Sequence, residues 1–184
     1  QRQMCIRDRS SFIKKPGTLI TKRTNLNNNR IITGISSTHN DAKVTLVGVK
    51  DRPGVAASIF KPLSINSINV DMVVQNISPN GKETDLTFTI KAESLNKTKK
   101  IIQENKSIKF KKVLFQKGVS KISIIGVGMI TTPGVTFRMF QALANKKINI
   151  QVISTSEIKI SVLINKKDAK KALATLHKEF KLEE

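Results

Sequence analysis

The chain has 184 residues and carries 33 Lys+Arg against 13 Asp+Glu, a formal charge of +20. With 39% hydrophobic residues it can build a packed core, so composition excludes a collagen, a disordered tail and a disulfide scaffold. The single Cys excludes an intrachain disulfide, and no apolar run approaches the ~18 residues of a transmembrane helix.

Residues 1–10, QRQMCIRDRS, fit no element and begin with Gln; they read as a non-native leader, and Cys5 within them carries no argument. SFIKKPGTLI (11–20) holds a Pro-Gly turn, and the Asn-rich TKRTNLNNNR (21–30) reads as a linker. IITGIS (31–36) is a short strand candidate, with STHND after it as a polar turn. From Val44 the chain repeats itself. Pro53-Gly54-Val55, Phe60, Leu63 and Ile68-Asn69-Val70 recur in one register as Pro133-Gly134-Val135, Phe140, Leu143 and Ile148-Asn149-Ile150.

Each copy starts with a β-branched run, Val44 to Val49 or Ile122 to Val127, read as a buried strand. A Pro-Gly loop leads into a helix with Val55, Ile59, Phe60 and Leu63, or Val135, Met139, Phe140 and Leu143, on one face. Pro62 predicts a kink or an early end in the first of these helices. A second strand follows (INVDMVV or INIQVI), then a third that alternates: Leu86, Phe88 and Ile90, or Ile158, Ile160 and Val162. A second helix carries Leu95, Ile101 and Ile102, or Ala169, Ala172, Leu173, Leu176 and Phe180, with Asn165 as a candidate N-cap.

The order β-α-β-β-α lacks one strand of a ferredoxin-like unit. Copy one supplies it as IKFKKVLF (108–115). Copy two ends after its helix, so IITGIS should cross back to complete it. The expected fold class is α+β, two ferredoxin-like βαββαβ modules with the first inserted within the second. The expected division is a leader at 1–10, a tail and linker at 11–29, module one at 41–118, and module two at 30–40 plus 119–184.

No catalytic constellation stands out. His39 and His177 lack metal-ligand spacing, and there is no nucleophile elbow or Walker loop. Gly126-Val-Gly128 lacks the third Gly of a dinucleotide turn and reads as a loop feature. The charge invites a nucleic-acid reading, but 26 of the cations are Lys, only 7 are Arg, and there is no Trp or Tyr to stack on bases. The cations therefore read mainly as solvated surface. The Pro-Gly turns say more. Free N–H groups and the positive dipole end at a helix start suit a small carboxylate, Gly54 and Gly134 leave room for close approach, and Asp51 can pair with an ammonium. An α-amino acid carries both groups, whereas a plain loop-to-helix turn needs neither.

With AKVTLVGVKDRPGVAASIF, NVDMVVQNIS, KISIIGVGM, PGVTFRMFQAL and INIQVISTSEIKISVLI on the page, the sequence from about Ser10 to Glu184 resembles the C-terminal regulatory region of aspartate kinase, built from tandem ACT modules. SSFIKKPGTLI resembles the tail of the kinase domain ahead of that region. The resemblance implies an inserted ACT module, pairing of ACT units between two chains, and feedback inhibition by lysine, threonine or both. It implies an effector site of Asp51, Gly54, Val55, Ala56 and Gln75 facing Asn149 and Ile150. Ser78, Thr87 and Ser156 match positions near it; Gly134 and Val135 are the copy-two counterparts of Gly54 and Val55. The family's Lys-Phe-Gly-Gly phosphate loop is absent from the sequence, so this chain alone should not phosphorylate aspartate, and it needs no cofactor; ATP and Mg belong to the kinase domain. The expected partners are the effector, a second copy of the chain, and a kinase domain or catalytic subunit, with no membrane and no nucleic acid, in the cytoplasm. The rival readings are an ACT sensor of another biosynthetic enzyme and a basic nucleic-acid-binding module.

Overall fold

The computed structural model describes residues 6–8, 18–20, 31–78, 81–105 and 107–182. Of the first thirty residues only a short antiparallel ladder is described, β1 (Ile6–Asp8) against β2 (Thr18–Ile20), so the leader does contain a strand. The expected Asn-rich linker lies outside the described residues.

The rest is one six-stranded antiparallel sheet with four helices. In chain order it runs β3 (Gly34–Lys50), α1 (Val55–Ile65), β4 (Val70–Ile77), β5 (Glu83–Lys91), α2 (Leu95–Glu104), β6 (Lys112–Ile125), α3 (Val135–Asn145), β7 (Ile150–Ser156), β8 (Lys159–Asn165) and α4 (Ala169–Glu179). The strand order is β4-β5-β3-β6-β8-β7. The upstream strand lies against copy two, with Gly34 opposite Ile125 and Thr38 opposite Lys121. Each half thereby has the four-stranded order of a ferredoxin-like unit.

The two halves are not joined by a turn. STHND, expected to reverse the chain, lies inside the 17-residue β3. Its polarity is accommodated by bulges instead: the β3–β6 register shifts on both sides of Asp41, at Asn40 (φ 68) and opposite Gly118 (φ 73). The buried Asp41 carboxylate accepts from Lys91 Nζ at 3.0 Å and from the Thr38 hydroxyl, so its burial leaves no unpaired charge. The strand pair β3–β6 is therefore common to both halves.

The periodicity translates directly into two cores on the helical side. Ile59, Leu63, Leu86, Phe88, Leu95 and Ile102 pack in the first, with Phe60 meeting Phe88 edge to face at 5.3 Å. Ile32, Ile122, Ile124, Met139, Leu143, Ile160 and Leu176 pack in the second. A small third cluster, Met72, Val119 and Leu163 with Val152 against it, lies on the helix-free side. There the two halves face one another.

Local expectations fail at Ile158, which precedes β8 and is 44% exposed, at the early end expected of Pro62, and at Asn165. Pro62 does not end α1 early: the helix runs on to Ile65 and matches α3 at 11 residues. Burial of Ile59 and Leu63 on either side of the proline outweighs one missing hydrogen bond. Pro62→Ala restores the N–H facing the Ser58 carbonyl and is expected to raise stability by about 1–2 kcal/mol, read from urea unfolding. Asn165 does not cap α4. It precedes a 3-10 turn (Lys166–Asp168), Asp168 holds the cap position, and the Asn165 Oδ1 accepts from Gln151 Nε2 at 3.0 Å.

Candidate functional site

Both Pro-Gly turns deliver a glycine in the left-handed region to a helix N-terminus, Gly54 (φ 84) before α1 and Gly134 (φ 87) before α3. Neither helix has a side-chain cap. The first-turn N–H groups beyond Val55 and before Ser58, which bond to Arg52 O and Gly54 O, have no partner within the helix. A Cβ built on either glycine meets nothing within 4 Å, so each turn faces open space. Glycine is needed here for its positive φ, and the space is left for something else.

Asp51 and Ser78 meet at the sheet end from which the Gly54 turn leaves. The Asp51 N–H donates to Lys82 O at 2.9 Å, and Thr84 pairs with both Val49 and Ile77. Gln75 is exposed on β4 opposite Leu86, and Ser78 N–H donates to Glu83 O at 2.8 Å. Val55 and Ala56 open α1 and are half-buried. Thr87 instead points to the helix-free side, its hydroxyl 3.1 Å from that of Thr45. Around Gly134 a cleft of about 600 Å³ is lined by Met129, Pro133, Val135, Ser156, Glu157 and others. Asn149 and Ile150 are not in it. Ile150 starts β7 opposite Ile164, with Asn149 just before it, at the far end of that strand from Ser156. Among the described residues no hydrogen bond joins Asn149 or Ile150 to Asp51, Gly54 or Gln75 within one chain. Among the described residues there is also no cluster of His, Cys, Asp and Glu fit for a metal, and no helix long and apolar enough to cross a membrane.

Sequence reasoning missed the contacts between the halves. Lys121 of β6 pairs with Asp71 of β4, and Lys43 Nζ of β3 donates to Gln151 Oε1 of β7 at 2.8 Å. These are the same contact made twice. Lys43 precedes Val44 as Lys121 precedes Ile122, and Asp71 follows Val70 as Gln151 follows Ile150. The register of the repeat was the signal that could have found them. Burial tends to raise the Asp71 carboxyl, but hydrogen bonds from Lys121 and the Met72 N–H, with the charges of Lys121 and Lys159, outweigh it and hold it below its ordinary value. Burial lowers the Lys43 ammonium, which has only a neutral amide for a partner.

The ACT-domain family model matches residues 44–105 and again 122–180, the two copies of the repeat. The chain belongs to the ACT-domain family. It corresponds to the C-terminal regulatory region of aspartokinases. An aspartate kinase of Pseudomonas fluorescens is 45% identical over 175 residues, covering 94% of this chain but 42% of its own length. The ligand-free regulatory subunit of aspartate kinase from Thermus thermophilus superposes with a TM-score of 0.73 at 34% identity, over 82% of this chain and 99% of that one. A chain from a structure of aspartokinase alpha and beta subunits gives a TM-score of 0.73 at 38% identity, with the same coverage. This ACT pair thus spans less than half the length of the curated aspartokinases it matches.

Proposed function

We propose that this ACT pair is the amino-acid-sensing part of an aspartokinase, binding lysine, threonine or both and restraining an attached kinase domain or catalytic subunit. The observation that carries the reading is the uncapped α1 N-terminus at Gly54, open to space and entered by a turn that begins at Asp51. Backbone N–H groups of the turn take the effector carboxylate, and Asp51 and Gln75 take its ammonium or side-chain polar groups. Asn149 and Ile150 complete the site from a second copy. The sheet supports such pairing: its two edges, β4 and β7, expose Val73, Ile77 and Ile153 at 49%, 58% and 44%. Open apolar edges favour strand pairing with another chain. Effector binding then favours one dimer arrangement over another by its differential affinity, commonly ~1–3 kcal/mol.

Lysine or threonine, but not proline, is expected to raise the melting temperature. At one hundred times Kd the stabilisation is about 2.7 kcal/mol, several degrees for a chain of this size. Asp51→Ala should flatten that titration while leaving the unliganded melt in place. No shift with either amino acid at millimolar concentration would refute the reading, and an unchanged titration would remove Asp51 from it.

A further inference from the structure

On the helix-free side, between the halves, lies a polar cleft of about 290 Å³. Asp71 and Met72 of β4 form one wall, Lys121 of β6 with Lys159 and Ser161 of β8 the other, and Ser154 of β7 closes one end. It includes none of Asp51, Gly54 or Gln75, while Thr155 and Ser156 line both it and the Gly134 cleft.

The pseudo-symmetric face shows what is particular to this one. The Ser123–Ser161 hydroxyl pair at 2.8 Å corresponds to the Thr45–Thr87 pair at 3.1 Å. Two residues before Ser161 stands Lys159; two before Thr87 stands Asp85, whose carboxylate accepts from the Gly48 N–H at 2.8 Å. The first face therefore sets Lys43 against the neutral Gln151, with Asp85 turned to the Gly48 N–H. The second gathers two lysines against a single carboxylate.

The burial of the partners is unequal. The Lys121 side chain is 11% exposed, while Asp71 is 58% exposed. Burying an ammonium costs least with an anion beside it, whereas the more exposed carboxylate is hydrated when it turns away. Lys159 Nζ has no hydrogen-bond or ion-pair partner among the described residues, yet its charge reaches Asp71. Asp71 thus stands where the oxygens of a ligand would stand, beside a second ammonium and the Ser154 hydroxyl.

We propose that this cleft is a site for a small oxyanion, a carboxylate or phosphate group, which takes Lys121 over from Asp71 and adds Lys159. Asp71 belongs to the first ACT module and both lysines to the second, so the exchange releases a tie between modules. The site takes none of the Asp51, Gly54 and Gln75 groups of the amino-acid site proposed above.

The test is a calorimetric titration of the full chain with inorganic phosphate and with succinate, against potassium chloride at matched ionic strength. Asp71→Asn removes the resident carboxylate: it should lower the melting temperature without anion and bind the anion about tenfold more tightly. Lys159→Gln should bind about tenfold more weakly and melt as the parent does. Asp51→Ala should leave this titration unchanged, which separates the failure of one site from that of the other. Binding of phosphate alone or succinate alone supports the site and names the group it takes. Equal affinity in the parent, Asp71→Asn and Lys159→Gln means diffuse screening of a +20 chain and overturns the proposal, as does binding of neither anion at tens of millimolar.

Discussion

A chain beginning at Asp41 is expected to lose the independent stability of its second ACT module. The residues removed include Gly34–Thr38, the strand paired with Lys121–Ile125. They also include Ile32, 2% exposed in the core with Ile122, Met139 and Leu176, and the half-buried Ile31 and Ile35 packed on that core. Burying one such side chain is worth about 1.5–3 kcal/mol, so the three together with the lost ladder amount to roughly 4 kcal/mol or more. For a domain of this size that is a fall of about 10 °C or more in melting temperature. The damage also has a kinetic side. β6 carries the buried Ile122 and Ile124, and without β3 beside them its N–H and C=O groups become an open edge. Aggregates should appear on size-exclusion chromatography. A chain beginning at Ile31 is the control and should match the full sequence. If the chain from Asp41 is monodisperse and melts within a few degrees of that control, the crossing strand is dispensable and the shared architecture is wrong.

Much of this fold was legible because hydrophobic periodicity reports which side of an element is covered. Ile59 and Leu63, Met139 and Leu143, and the alternating Leu86, Phe88 and Ile90 are all buried as their spacing implies. Strand counting placed 31–36 against copy two without any contact being known. What escaped has a common cause: polar residues say little about where they point. STHND looks like a turn because its residues favour turns, but Asn40 takes the left-handed conformation within a strand and Asp41 is satisfied by Lys91 and Thr38. Lys43 and Lys121 alternate with apolar neighbours and read as solvated, because nothing local reveals that the opposite face of the sheet meets its own counterpart. The candidate site shows the same division. The glycine turns are local and were readable; the separation of Asn149 and Ile150 from Gly134 along β7 is a matter of which strand end they occupy, and that emerges only with the register.

The fused strands also bear on how a ligand could be felt at a distance. Asp51 and Gly54 continue from the end of β3, whose other end is the strand that completes the second module. A shift of the turn on binding the proposed effector would be carried along a single strand rather than across a flexible linker. The paired contacts Asp71–Lys121 and Lys43–Gln151 hold the two faces that such a shift would slide.

The glycine that matters most to this arrangement is outside both turns. Gly126→Ala is expected to be the most damaging single substitution among the glycines, with a loss of about 3 kcal/mol or more. Its φ of 177° is ordinary extended backbone, so the conformation itself asks for no glycine. The requirement is steric. A Cβ at this position lies 2.1 Å from the Ile31 carbonyl oxygen and 2.7 Å from the Ile32 Cα, both backbone atoms that no rotamer can move. Relief would need the crossing strand to withdraw, but it is held by Thr33 N–H to Ile125 O at 2.8 Å and by burial of Ile32, while Gly126 N–H is itself fixed to Ile158 O at 2.9 Å. Gly54→Ala supplies the contrast. There the new methyl meets nothing within 4 Å and only the positive φ is penalised, a cost of about 1–2 kcal/mol. Urea midpoints of the two variants should therefore rank Gly126→Ala well below Gly54→Ala. The opposite order would mean that residues 31–32 do not press on Gly126, and the strand that joins the two ACT modules would lose its anchor.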